Sequence, residues 1–345
     1  MSSRRQTQSY LRNLFARRGV APQHRYGQNF LIDLNIHELI VNAAEVGPDD
    51  VVLEIGPGAG ALTALMAERG AAVVAVEIDP AMARLTTEAV EGRLNVRVLN
   101  VDALASKHTM NPEVLDNVRA GLAVSPEKRL KLVANLPYNV ATPILSNLLV
   151  HPEFCPTLLV VTIQLELAQR ICAGPEEEEY GALSVLMQAL ADVSIVRTLA
   201  PTVFWPRPKV ESAVISIRPD ASKRALVHNL AWFHQTIRQL FLHRRKNLRR
   251  VLYSLWRDRW TKLEVDTFLE GLGLTGLVRA EAMNVEELLT LTQQLGERFN
   301  VNNEGALPES PAEASEDEEE ASDEEQEPDD DVEELDPEDQ SSEVL

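Results

Sequence analysis

The chain has 345 residues, 45% of them hydrophobic and 5% aromatic, enough for one large or two ordinary domains with a buried core. Its formal charge of −20 is segregated: from Glu304 onward there are 21 acids and no Lys or Arg, which leaves residues 1–303 with 32 acids against 33 Lys and Arg. The acidity therefore excludes no nucleic-acid partner, the two cysteines exclude a disulfide framework, and no apolar run approaches the roughly 20 residues of a membrane span.

In chain order, the first 32 residues hold six Arg and no Asp or Glu, and SYLRNLFARR has the spacing of a short amphipathic helix. Residues 1–23 read as a basic arm that touches phosphates. An organelle transit peptide is the alternative, disfavoured because the segment runs directly into functional sequence at 25–31. Apolar, β-branched runs then recur with helical stretches between them: VVLEIG (51–56), AVVAVEID (72–79), NVRVLNVD (95–102), LKLVAN (130–135), TLLVVTIQLE (157–166) and ESAVISIRP (211–219). Such alternation predicts an α/β domain over 24–222 with a largely parallel sheet, the last strand an antiparallel addition. From about Ser222 only helical period remains, and 223–300 reads as a small helical domain. Residues 301–345 lack the large apolar groups that a core needs and are expected to be disordered.

The first strand runs into EIGPGAGA (54–61), where glycines permit a tight turn and close backbone approach to a ligand. Alone this is a loose dinucleotide pattern, and a nicotinamide-dependent dehydrogenase is one reading of it. Glu77, 21 residues after Gly56, ends the second strand and suits both hydroxyls of a ribose, a group shared by NAD and S-adenosylmethionine. Asp102 ends the third strand, where a carboxylate can accept from an adenine amine. One acid alone would be an ordinary solvated strand end. Three successive strand ends carrying a Gly-rich turn, Glu and Asp point to one crevice at the carboxyl edge of the sheet.

The fourth strand ends in ANLPYN (134–139). The Asn135 side-chain oxygen and the Leu136 carbonyl are two acceptors for the hydrogens of a planar exocyclic amine. Pro137 fixes φ, and Tyr138 offers a flat face to a base taken out of its stack. This is the chemistry of amine methylation, which a dehydrogenase does not explain.

Motif by motif the chain resembles the small-subunit (16S) rRNA adenine N6-dimethyltransferases, the kasugamycin-resistance family. The resemblance is carried by RYGQNFLID (25–33), VLEIGPGAGALT (52–63), AVEID (75–79), DAL (102–104) and NLPYNVATPIL (135–145). It continues in EYGALSVLMQ (179–188), VFWPRPKVESAV (203–214), FLHRRKNLRRVL (241–252) and RAEAMNVEELL (279–289). It implies a Rossmann-like S-adenosylmethionine-dependent methyltransferase fold, a seven-stranded mostly parallel sheet with a small C-terminal helical domain. It places cofactor contacts at Asn29, Leu31, Gly56, Glu77, Asp102 and Asn135, the target-amine loop at Asn135, Leu136, Pro137 and Tyr138, and a second base-pocket aromatic at Phe204. The substrate it implies is a pair of adjacent adenosines in a 3′-terminal hairpin loop of small-subunit rRNA, within a pre-ribosomal small subunit.

Arg244, Arg245, Lys246, Arg249 and Arg250 crowd into seven residues without an acid. A run of charge is often only a solvated face, but like charges at this density repel unless phosphates neutralise them, and they are read as an RNA-binding face. Trp232, Trp256 and Trp260 read as core or domain-interface residues. The seven His show no ligand spacing, so no metal is expected, and a cytoplasmic monomer is. The family usually has Gln-Lys-Glu where this chain has Gln164-Leu165-Glu166, and residues 105–129 are longer than a plain connection, as if a surface element were added. Two rivals remain: a large-subunit rRNA adenine methyltransferase of the macrolide-resistance type, and a ribosome-assembly or transcription-accessory factor without activity.

Overall fold

The computed structural model describes residues 6–301. The acidic tail from 302 on, and the expectation of disorder attached to it, lie outside them.

Helix α1 (Gln8–Arg18) starts at Thr7, whose hydroxyl accepts from the Tyr10 N–H, and stops at Gly19 in the left-handed conformation. Its Leu11 and Phe15 are buried with Phe30, Met82 and Leu85, so this part of the basic segment is docked on the body. The short β1 (Phe30–Leu31) and α2 (Leu34–Ala43) lead into the sheet. Then come β2 (Asp50–Ile55), α3 (Ala61–Glu68), β3 (Ala72–Val76), α4 (Pro80–Ala89) and β4 (Val96–Leu99). A hairpin of β5 (Leu104–Ser106) and β6 (Thr109–Met110) precedes α5 (Pro112–Leu122), β7 (Arg129–Asn135), α6 (Ala141–Val150) and β8 (Leu158–Gln164). Next are α7 (Leu165–Cys172), α8 (Ala182–Leu190), β9 (Ala191–Leu199), β10 (Phe204–Trp205) and β11 (Ser212–Pro219). Helices α9 (Ala221–Leu226), α10 (Leu230–Leu242), α11 (Leu248–Leu255), α12 (Lys262–Gly271) and α13 (Val285–Arg298) complete the described chain.

Seven strands form one sheet in the order β4-β3-β2-β7-β8-β11-β9. The pairs from β4 through β8 are parallel, and β11 runs antiparallel to both β8 and β9. The inner strands are apolar without alternation because helices cover both faces; every residue of β2 is buried. Each Val, Leu or Ile fully buried there contributes about 1.5–3 kcal/mol. At the amino edge, Lys131 Nζ donates to the Ala44 and Glu45 carbonyls and to buried Asp50, at 2.8–2.9 Å, so the charge is paired where water is excluded.

One expectation changes, and one strand lies outside the apolar runs read from the sequence. The region 105–129 is only partly a surface addition: the β5–β6 hairpin is the added piece, while α5 is the crossover helix that packs on β2, β3 and β7. The seventh strand, β9, breaks its apolar run with Asp192, Ser194, Arg197 and Thr198, and as an edge strand it exposes most of its residues.

The switch from alternating to purely helical pattern falls within α9. Beyond it, α10 packs against α8 and α13. Trp232, Trp256 and Trp260 are all buried, with Trp256 stacked on Phe299 at 5.0 Å, so they are core side chains as expected. Tyr180, between α7 and α8, ties this helical part to the sheet part. Its ring meets Phe241 edge-on at 5.6 Å and its hydroxyl donates to the Met283 carbonyl at 2.9 Å. Among the described residues no helix is long and apolar enough to cross a membrane.

Candidate active site

Strand order reverses between β2 and β7, the position where an open α/β sheet has a crevice at its carboxyl edge. A cavity of about 280 Å³ lies there. Its walls include Asn29, Leu31, Gly56, Glu77, Asp102 and Asn135, so the structure brings together all six residues expected at the cofactor.

The turn after β2 needs its glycines. Gly56 and Gly58 have φ of 71° and 58°, and a Cβ on Gly58 would come within 2.9 Å of the Phe30 ring. Glu77 braces this turn: its Oε2 accepts from the Gly58 N–H at 3.1 Å and its Oε1 from the Asp79 N–H at 3.0 Å. The residue is 5% exposed, and burial pushes its pKa up to about 7. Glu54, on β2 beneath the turn, is buried with Oε2 unpartnered, and burial lifts its pKa to about 8. Asp102 is exposed at the rim, where its Oδ1 accepts from the Leu104 N–H at 2.9 Å.

Asn135 closes the opposite wall. Its Nδ2 donates to the Asn29 carbonyl at 2.9 Å, which leaves Oδ1 as a free acceptor at the end of β7. Leu136 is anchored through its N–H to the Thr162 carbonyl at 3.1 Å. Pro137 follows with φ −59°. Tyr138 is half-buried in the cavity wall, and its hydroxyl shares a 2.8 Å hydrogen bond with Ser212 Oγ.

Phe204 is not among these residues. It is 3% exposed and packs in the core with Leu31, while Trp205, its neighbour in β10, points to the opposite side against Phe15 and Phe30. Phe204 supports the wall from behind and does not line the cavity.

The contacts made by Asp79, Gln28, Gln23 and Gln6 escaped the sequence reading. Asp79 Oδ2 accepts from Gln28 at 2.9 Å and from Gln23 at 3.3 Å, tying the 23–29 segment to the rim. Gln28 and Asp79 stand inside motifs already singled out, RYGQNFLID and AVEID, yet nothing local pairs them. Gln6 donates to the Ala59 carbonyl at 2.7 Å, with no sequence signal to announce it.

A family profile described as ribosomal RNA adenine dimethylase matches residues 21–295, most of the chain. The chain belongs to the ribosomal RNA adenine dimethylase family. Among its relatives is ribosomal RNA small subunit methyltransferase A of Moorella thermoacetica, 38% identical over 285 residues, 82% of this chain and 95% of the relative. The protein of the same name from Pelotomaculum thermopropionicum is 38% identical over 288 residues, 81% of this chain and 94% of that one. In fold the chain is similar to a dimethyladenosine transferase from Plasmodium falciparum, with TM-score 0.63 and 23% identity over 78% of this chain and 96% of that one. It is also similar to the 23S rRNA methyltransferase ErmE, with TM-score 0.56 and 26% identity over 77% of this chain and 99% of that one.

S-adenosylmethionine is the cofactor of such methyltransferases, and the cavity of this family member fits it. Glu77 offers a buried carboxylate to hydroxyl donors, the glycines leave room for close approach, and Asn135 keeps a free acceptor. Among the described residues no group of three His, Cys, Asp or Glu is placed to hold a metal.

The expected RNA face is less uniform than its sequence. Residues 243–247 interrupt the helix between α10 and α11. Arg244 Nη1 donates to the Glu178 and Tyr180 carbonyls at 2.6 and 2.8 Å, and Arg249 pairs with Asp266 at 2.5 Å. Acids and carbonyls from other elements thus relieve the crowding that seemed to need phosphates. Arg245, Lys246 and Arg250 have less to hold them: all three are exposed, the first two in the connection and Arg250 in the first turn of α11.

Proposed function

We propose that the chain dimethylates N6 of two adjacent adenosines in a 3′-terminal hairpin loop of small-subunit rRNA, within a pre-ribosomal particle, during ribosome biogenesis. The observation that carries this reading is the Asn135 amide: its N–H is held by the Asn29 carbonyl, so its oxygen faces the cavity in a chain whose relatives are named for the small subunit.

S-adenosylmethionine supplies an electrophilic methyl on a sulfonium. The chain's own residues present the nucleophile. Asn135 Oδ1 and the Leu136 carbonyl accept the two amine hydrogens, which favours a pyramidal nitrogen with its lone pair directed at the donor. Tyr138 stacks on the extruded base. The nitrogen becomes acidic only once methylated, so its proton leaves after attack, and catalysis is chiefly positioning. A second transfer to the same nitrogen needs one hydrogen fewer, so a single acceptor of the pair suffices.

Incubation with undermethylated small subunits and labelled donor, followed by mass-spectrometric mapping, tests the proposal. Label on adjacent dimethyladenosines of small-subunit rRNA is the expected result. The likeness to ErmE supports a second reading, and label confined to large-subunit rRNA would establish that one instead.

The three exposed cations give a separate prediction. Replacing Arg245, Lys246 and Arg250 by Ala should weaken subunit binding and flatten the log–log salt dependence by about 0.7–0.9 for each phosphate no longer neutralised. Arg244→Ala should act differently, lowering the melting temperature because two carbonyls are left without their donor. Filter binding across salt concentrations and thermal melting separate the two effects, and an unchanged slope would make the three cations a merely solvated face.

A further inference from the structure

The motif KVESAV (209–214) has no part in the steps of methyl transfer, yet it delivers one side chain to the target-amine loop. Ser212 opens β11, pairs in register with Gln164 of β8 and Leu199 of β9, and is 0% exposed. Two neighbouring strands fix its backbone, and its hydroxyl reaches that of Tyr138 at 2.8 Å. A serine in an apolar antiparallel strand, followed by Ala213, Val214 and Ile215, costs desolvation of its hydroxyl unless that group is bonded. Here the bond goes to the one polar atom of the aromatic ring in the cavity wall.

The consequence is geometric. Leu136 and Pro137 set where the Tyr138 backbone lies, but the ring can still turn about its side-chain torsions. A bond at the far end of the ring removes that freedom, because the hydroxyl must stay within reach of an oxygen fixed in the sheet. We infer that Ser212 is a positioning residue for methyl transfer: it locks the Tyr138 ring in the plane on which the target adenine stacks. Ser212 does not line the cofactor cavity, so its influence runs through Tyr138 alone. This rests on the reading that Tyr138 faces the target base.

The test is a double-mutant cycle with Tyr138→Phe, Ser212→Ala and the double variant in the full chain, measured as single-turnover methyl transfer to undermethylated small subunits. Cofactor affinity is measured in parallel by calorimetry. Loss of one hydrogen bond predicts a slowing of about 3- to 10-fold for each single variant. The double variant should be no slower than the slower single variant, and cofactor affinity should stay at the parent value in all three. That unchanged affinity also reports an intact fold. A parent-like rate for Ser212→Ala, or effects that multiply in the double variant, overturns the coupling. Tyr138→Ala separates this from failure of the underlying reading: parent-like turnover in that variant would show that Tyr138 does not meet the base at all.

Discussion

Asn135→Ala should keep the fold yet lose about 10²- to 10³-fold in methyl transfer, the usual cost of removing one hydrogen-bonding group aimed at a reacting centre. The expectation follows from how the side chain is held. Its Nδ2 is bound to the Asn29 carbonyl 106 positions away in sequence, so the amide cannot rotate and its oxygen is fixed at the cavity. Truncation removes the acceptor and also releases the Asn29 carbonyl, which sits at the rim and can turn to water. Asn135→Asp makes a sharper probe. It retains the oxygen but loses the donor, and it places a carboxylate opposite the Asn29 carbonyl, so two acceptors face one another. It should be impaired as well, and more strongly at high pH, where the carboxylate is charged. Single-turnover kinetics with labelled donor measures both variants. Near-parent rates in Asn135→Ala would remove the residue from the mechanism, whatever its place in the motif.

The parts of this site that were legible in the sequence are those where one residue does one local job. The run at 51–55, apolar but for Glu54, fits a strand covered on both faces, and the glycines after it mark a turn that a side chain would block. Glu77 and Asp102 were legible as strand-end acids in a repeated pattern. What stayed hidden depends on pairing across the fold. The Asp79–Gln28 bond joins residues 51 positions apart and the Tyr138–Ser212 bond joins residues 74 apart, and no local periodicity encodes either. Phe204 and Trp205 are neighbours of similar character, and only the β1–β10 register decides which ring faces the sheet core. The partners of the crowded arginines stayed hidden for the same reason: Asp266 and the Glu178 and Tyr180 carbonyls that hold two of them belong to other elements. Strand β9 was missed because an exposed edge does not need the apolar run by which inner strands are recognised.

Glu77→Ala should raise the dissociation constant for S-adenosylmethionine by about 10- to 150-fold, the equivalent of roughly 1.5–3 kcal/mol for a hydrogen bond to a charged acceptor, and should change RNA affinity far less. The pH dependence in the parent protein tests the same assignment without a mutation. Burial holds the free Glu77 carboxyl at about 7, above its ordinary value. Below that pH the group is protonated, and it must shed the proton before it can accept both ribose hydroxyls. Cofactor binding therefore releases a proton, and affinity should fall as pH drops below about 7, by at most tenfold per unit. Well above that pH the carboxylate is already formed and the curve should flatten. Glu77→Gln keeps the volume and one acceptor but cannot ionise, so its affinity should be weak and should lose this slope. Calorimetry in two buffers of different ionisation enthalpy counts the released proton directly. If affinity is the same a full unit below and a full unit above this pKa and no proton is released, Glu77 acts only as the brace of the Gly58 turn, and the ribose must find its acceptor elsewhere in the cavity.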